Sequence, residues 1–77
     1  MTDIEKKLIA LAAKRFDKDA STLAVGDDFF EKLGIDSYEA MDMLTQLEEE
    51  FDVEIPDYEV QGVNTFGGLA ELIGRRL

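Results

Sequence analysis

Residues 34–51 read Gly34-Ile35-Asp36-Ser37-Tyr38-Glu39-Ala40-Met41-Asp42-Met43-Leu44-Thr45-Gln46-Leu47-Glu48-Glu49-Glu50-Phe51, and this stretch decides the fold. Ala40, Met41, Leu44, Leu47 and Phe51 recur at helical spacing and form the predicted apolar stripe. Glu39, Asp42, Glu48, Glu49 and Glu50 face elsewhere, so the spacing predicts a helix over 37–51. Its start offers two caps. Asp36 as N-cap with Glu39 at the third helical position satisfies two orphan N–H groups reciprocally and leaves the Ser37 hydroxyl free. Ser37 as N-cap would tie that hydroxyl to the backbone and put Ala40, which accepts nothing, in the box position. The first arrangement uses the sequence better.

Downstream, Ile55 precedes Pro56 and is expected to be extended. Pro56 can open a short helix through Val60, with Gly62 past its end. Thr65 caps a last predicted helix over 66–73, with Phe66, Leu69, Leu72 and Ile73 inward. Gly67 and Gly68 are expected to weaken its first turn by roughly 1 kcal/mol each relative to Ala. Upstream, Ile4, Leu8, Leu11, Ala12 and Phe16 mark a helix over 3–16, capped by Thr2 or Asp3. Residues 17–36 break that period with turn formers, yet hold Leu23, Val25, Phe29, Phe30, Leu33 and Ile35. They are expected to pack over the helices, with one helical turn near 27–33 ended by Gly34. No strand, repeat or linker interrupts the pattern. The expected fold is all-α in a single domain over 1–77: three longer helices, one short helix and a long first connection.

The chain has 77 residues, a formal charge of −10, and no Cys, His or Trp. A chain this short hides only about 60% of its unfolded surface, enough for one modest core. Without Cys it has no disulfide and no thiolate. Without His it lacks the commonest general base and transition-metal ligand. No apolar run approaches the ~18 residues of a membrane span, so no membrane insertion is expected. The first residues, Met1-Thr2-Asp3-Ile4-Glu5, show no signal-peptide pattern, so a cytoplasmic location is expected. Residues 33–74 carry eleven acidic groups and no Lys or Arg. That segment repels nucleic acid and attracts basic protein patches.

Little catalysis is open to such a chain. Ser37 has no His to act as its base, no Gly-x-Ser-x-Gly elbow, and an acidic setting that disfavours an alkoxide. Asp17, Asp19, Ser21 and Asp28 match a calcium loop only in part, since Thr22 stands where Gly is needed and Asp28 where Glu is needed. Metal ligands are therefore not assigned. The glycines at 62, 67 and 68 form no phosphate loop. What remains is modification of Ser37 by another enzyme, at a helix start where N–H groups offset a phosphoester's charge.

With Gly34-Ile35-Asp36-Ser37, the acidic helix ending Leu47-Glu48-Glu49-Glu50-Phe51 and the following Ile55-Pro56-Asp57, the sequence resembles the acyl carrier proteins. The family's hallmark is an Asp-Ser-Leu tripeptide opening the second helix. The resemblance extends over essentially the whole chain and implies a monomeric four-helix bundle that carries and does not catalyse. It implies 4′-phosphopantetheine, moved from coenzyme A onto Ser37 by a phosphopantetheinyl transferase, whose thiol holds acyl groups for partner enzymes. Asp36, Tyr38, Glu39, Asp42, Thr45, Glu48, Glu49 and Asp57 would then meet acyl synthases and transferases through basic docking patches. Phe29, Leu44, Leu47, Val60, Val63, Leu69 and Leu72 would line an acyl pocket, although simple core packing explains apolar residues equally well. The chain departs from the family at Tyr38, where Leu is usual, at Thr45, at Gly67-Gly68 and at the large Leu69, which suggests a specialised carrier. An aminoacyl or peptidyl carrier, or an acidic calcium-buffer or interaction module without a prosthetic group, are the competing readings.

Overall fold

Helix α1 (Asp3–Arg15) begins at Thr2, whose Oγ1 accepts from the Glu5 N–H at 3.1 Å while the Glu5 carboxylate accepts from the Thr2 N–H at 2.7 Å. That N–H, donating to Glu5, holds its carboxyl below the usual glutamate range. The computed structural model describes residues 1–77. Four further helices follow: α2 (Phe29–Leu33), α3 (Ser37–Phe51), α4 (Asp57–Val60) and α5 (Phe66–Arg76). Three are long and two are short, and no strand forms beyond a single bridge between Asp28 and Thr65. No helix is long and apolar enough to cross a membrane.

Every predicted helix is present, with differences at the edges. A 3-10 turn over Ala20–Thr22 falls inside the long first connection. Asp19 starts it by accepting from the Ser21 hydroxyl and N–H, which hold its carboxyl below the usual range. Asp28 caps α2 through the Glu31 N–H, and Gly34 ends it at φ 66°, a left-handed conformation that costs glycine little. Pro56 sits just before α4 instead of inside it. The last helix runs to Arg76 and not to Ile73. Arg75 reaches Glu71 one turn back at 2.7 Å, Arg76 pairs with Glu59, and both cations suit the C-terminal end of the dipole.

The core holds eighteen buried residues, all apolar. On α1 the buried face is Leu8, Ile9, Ala12 and Ala13, while Ile4, Leu11 and Phe16 are only partly covered. On α3 it is Met43, Leu44 and Leu47, flanked by Ala40 and Phe51. Met41, which the sequence assigns to that stripe, is 43% exposed, and Met43 takes its place. The two differ by two residues, about 200° around the helix, and Met43 shares the i, i+3, i+4, i+7 stripe of Ala40, Leu44 and Leu47.

The first connection is stitched to the start of α5. Phe29 N–H donates to the Asn64 carbonyl at 2.9 Å, Phe66 N–H to that of Asp27 at 3.3 Å, and Gly67 N–H to that of Val25 at 2.8 Å. These bonds, with buried Leu23, make the long connection a packed layer. They also explain the paired glycines. A Cβ on Gly67 would stand 3.1 Å from the Val25 carbonyl oxygen, and one on Gly68 would stand 2.9 Å from Val63 Cγ1. The glycines do not shorten α5; they let its first turn approach the connection and Val63.

Candidate functional site

At the head of α3 the cap is shared by Asp36 and Glu39. The Asp36 carboxylate accepts from the Glu39 N–H at 2.8 Å, and the Glu39 carboxylate accepts from the Asp36 N–H at 3.3 Å. Ser37 therefore occupies the first helical position, is exposed, and takes no part in the cap. Its own N–H and that of Tyr38 donate to no backbone carbonyl.

Helical spacing then ties Ser37 to a cleft. Ser37, Ala40, Met41 and Leu44 follow one another at i, i+3, i+4 and i+7, so they share one stripe of α3. All four line a cleft of about 520 Å³, mostly apolar and open to solvent. Its other walls come from α2, α4, the following turn and α5: Phe29, Asp57, Val60, Val63 and Leu69 all line it. Of the seven residues assigned to an acyl pocket, Phe29, Leu44, Val60, Val63 and Leu69 are thus brought together. Leu47 and Leu72 lie in the core instead and do not reach the cleft. Met41, Met43 and Phe30 line it without having been assigned. The signal for Met41 was available, because it lies one helical turn from Ser37.

The residues assigned to partner contact are also placed. Tyr38, Asp42, Thr45, Glu49 and Asp57 are exposed. Asp36 and Glu39 are exposed but engaged with each other's backbone. Glu48 turns back, and its carboxylate accepts from the Ile55 N–H at 2.7 Å. Thr45 donates to the Met41 carbonyl at 3.1 Å. Two carboxylates of the partial calcium pattern are likewise occupied, Asp19 at the 3-10 turn and Asp28 at the start of α2, where it also accepts from Asn64.

The known family described as "Phosphopantetheine attachment site" matches residues 6–73. The acyl carrier protein of Porphyromonas gingivalis is 31% identical over 77 residues, covering 100% of this chain and 99% of that one. That of Phenylobacterium zucineum is 30% identical over 100% of this chain and 98% of its own, and that of Clostridium acetobutylicum 32% identical over 88% of each. This chain belongs to the acyl carrier protein family. The group that membership implies is 4′-phosphopantetheine. The carrier's residues fit it: an exposed serine hydroxyl outside any cap, unpartnered N–H groups beside it, and an apolar cleft along the same helix face.

One wall of the carrier's cleft depends on the absence of a side chain. Ala at position 68 would ordinarily favour the helix by about 1 kcal/mol. Here its methyl meets Val63 Cγ1 at 2.9 Å, and Val63 has to move toward the cleft. Gly68→Ala is expected to leave the melting temperature unchanged or lower. A rise of about 4–8 °C, the size that such a gain produces in a domain of this length, would show that Val63 yields freely.

Proposed function

We propose that the chain holds acyl intermediates on a 4′-phosphopantetheine arm attached to Ser37 and presents them to enzymes of fatty-acid, lipid or polyketide-type synthesis. The observation that carries this reading is the Ser37 hydroxyl, exposed and outside the cap, at the head of the stripe that lines the cleft. The arm supplies a thiol, which the chain itself lacks, as the attachment point for acyl groups.

The chain's own residues do the rest. Asp36 and Glu39 fix the start of α3 by capping each other, so Ser37 is held at a defined place without being used to hold it. The unpartnered N–H groups of Ser37 and Tyr38, at the positive end of α3, favour a phosphodiester there. Ala40, Met41, Leu44, Val60, Val63 and Leu69 offer apolar wall to a chain folded back from the arm. The acids of α3 draw basic surfaces of a phosphopantetheinyl transferase, synthases and transferases, and speed encounter with them. In this reading the chain is a loaded substrate and not a catalyst, a monomer, and cytoplasmic.

The test is intact mass after incubation with coenzyme A and a broad-specificity phosphopantetheinyl transferase. A gain of one phosphopantetheine group is expected. No gain in folded protein would sink the reading.

A further inference from the structure

The chain has seven aromatic residues, five Phe and two Tyr. Every Phe is buried or half-buried, whereas Tyr38 is 77% and Tyr58 75% exposed. The fold therefore keeps its phenyl rings and leaves both phenols in water, where they add little to stability. Each follows in sequence a residue that lines the cleft. Tyr38 follows Ser37 on α3, and Tyr58 follows Asp57 on α4, and Ser37 and Asp57 line the same cleft. Met41, 43% exposed, lies one helical turn from Tyr38, and Asp42 lies beside it at i+4.

The setting is acidic, and Lys32, the nearest cation before it in sequence, is paired with Asp27 at 3.8 Å. Asp36, Glu39, Asp42 and Asp57 surround the two rings in sequence, and residues 33–74 contain no Lys or Arg. Arg76, which reaches α4 from α5, is paired with Glu59. Carboxylates alone accept an ammonium or a guanidinium. Carboxylates beside exposed aromatic faces favour the guanidinium, which is planar, weakly hydrated, stacks on a ring and forks to a carboxylate at once.

We propose that Tyr38 and Tyr58 make this face selective for partner surfaces that present arginine, in preference to equally charged surfaces that present lysine. The occupant is an arginine-bearing patch on a partner enzyme. The proposal rests on the carrier reading for the partner's being an enzyme; the selectivity of the patch is tested without it.

Two synthetic helical peptides serve as probes, free of aromatic residues and identical except for four Arg or four Lys. The chain has no Trp and its only two tyrosines are Tyr38 and Tyr58, both exposed, so tyrosine emission reports on these two rings alone. Backbone amide shifts follow the same titrations. The Arg peptide is expected to bind tighter than the Lys peptide by up to about five-fold per tyrosine, the most that a cation–π contact at an exposed ring supplies. It should change the emission and shift amides over 36–42 and 57–59. Tyr38→Leu with Tyr58→Leu keeps apolar area and removes the aromatic faces. That double variant should melt as the parent does, bind both peptides alike, and keep the salt dependence. Equal affinities in the parent, an Arg preference that survives the double variant, or binding of neither peptide would each overturn the proposal. So would the same emission change on concentrating the chain alone, which would make a second copy the occupant. Phosphopantetheine uptake is measured separately: its failure sinks the carrier reading and leaves an Arg preference standing, while equal peptide affinities sink the selectivity and leave uptake standing.

Discussion

Ser37→Ala takes up no phosphopantetheine from coenzyme A, while its melting temperature stays within a degree or two of the parent's. The first half follows if this hydroxyl is the attachment point: alanine offers no oxygen to esterify, and the loss is complete. The second half follows from the cap. Removing an N-cap side chain costs about 0.5–2 kcal/mol, but at the head of α3 that role belongs to Asp36, with Glu39 answering it. Ser37 is exposed and at the first helical position, where alanine is a better helix former. Intact mass checks the first statement and thermal unfolding followed by circular dichroism the second. Retained uptake would move the attachment to another hydroxyl. Retained failure with a large drop in stability would make Ser37 a structural residue.

Phe66→Ala is expected to cost the fold about 3–5 kcal/mol. Phe66 is 1% exposed, opens α5, and packs its ring against Phe29 with centroids 6.2 Å apart. Its N–H is also one of the bonds that join α5 to the first connection. Truncating a buried Phe costs about 3–5 kcal/mol. A chain of this length has about 4–12 kcal/mol in all, so a quarter of its stability is at stake at the least and all of it at the most. Urea unfolding measures the difference. A loss below about 2 kcal/mol, less than the handling of a buried Phe allows, would mean the cavity collapses and that the Phe29 face does not depend on Phe66.

What could be read in advance was the local chemistry. Asp36 with Glu39, and Thr65, each act within one turn, and the residues that make a cap are also the ones that announce it; at α1 the sequence leaves Thr2 and Asp3 open, and Thr2 with Glu5 is the pair that forms. Gly34 ends α2 for the same reason. What failed, Met41 apart, depended on distant neighbours. Met41 lies one turn from Ser37 and Leu44 and reaches the cleft while half exposed, whereas Met43 falls on the i, i+3, i+4, i+7 stripe of Ala40, Leu44 and Leu47 and is fully buried. Gly67-Gly68 read as weakness because Val25 and Val63, the atoms they make room for, are not adjacent in sequence. The end of α5 was set too early because Glu59 supplies the partner for Arg76. Leu47 and Leu72 share the helical spacing of the cleft residues, and spacing does not tell a cleft wall from a core.

The unequal packing of the three long helices has a consequence for how the molecule breathes. α1 and α5 share the broadest contact between helices, α3 meets α1 over a smaller one, and α4 touches mainly α5. The stitched connection adds its backbone bonds to the α5 side. Local opening draws on the least-tied segments, so α3 is expected to loosen before α1 and α5 do. Amides of α3 at Met43 to Leu47 should exchange with solvent through a smaller opening than those of α1 at Ala12 and Ala13; equal protection would make the domain one unit. The serine, the acids of α3 and one wall of the cleft ride on that looser helix. If the chain carries its cargo as proposed, access to the interior and presentation to a partner would be one event, governed by the same opening equilibrium, with α1 and α5 as the fixed floor.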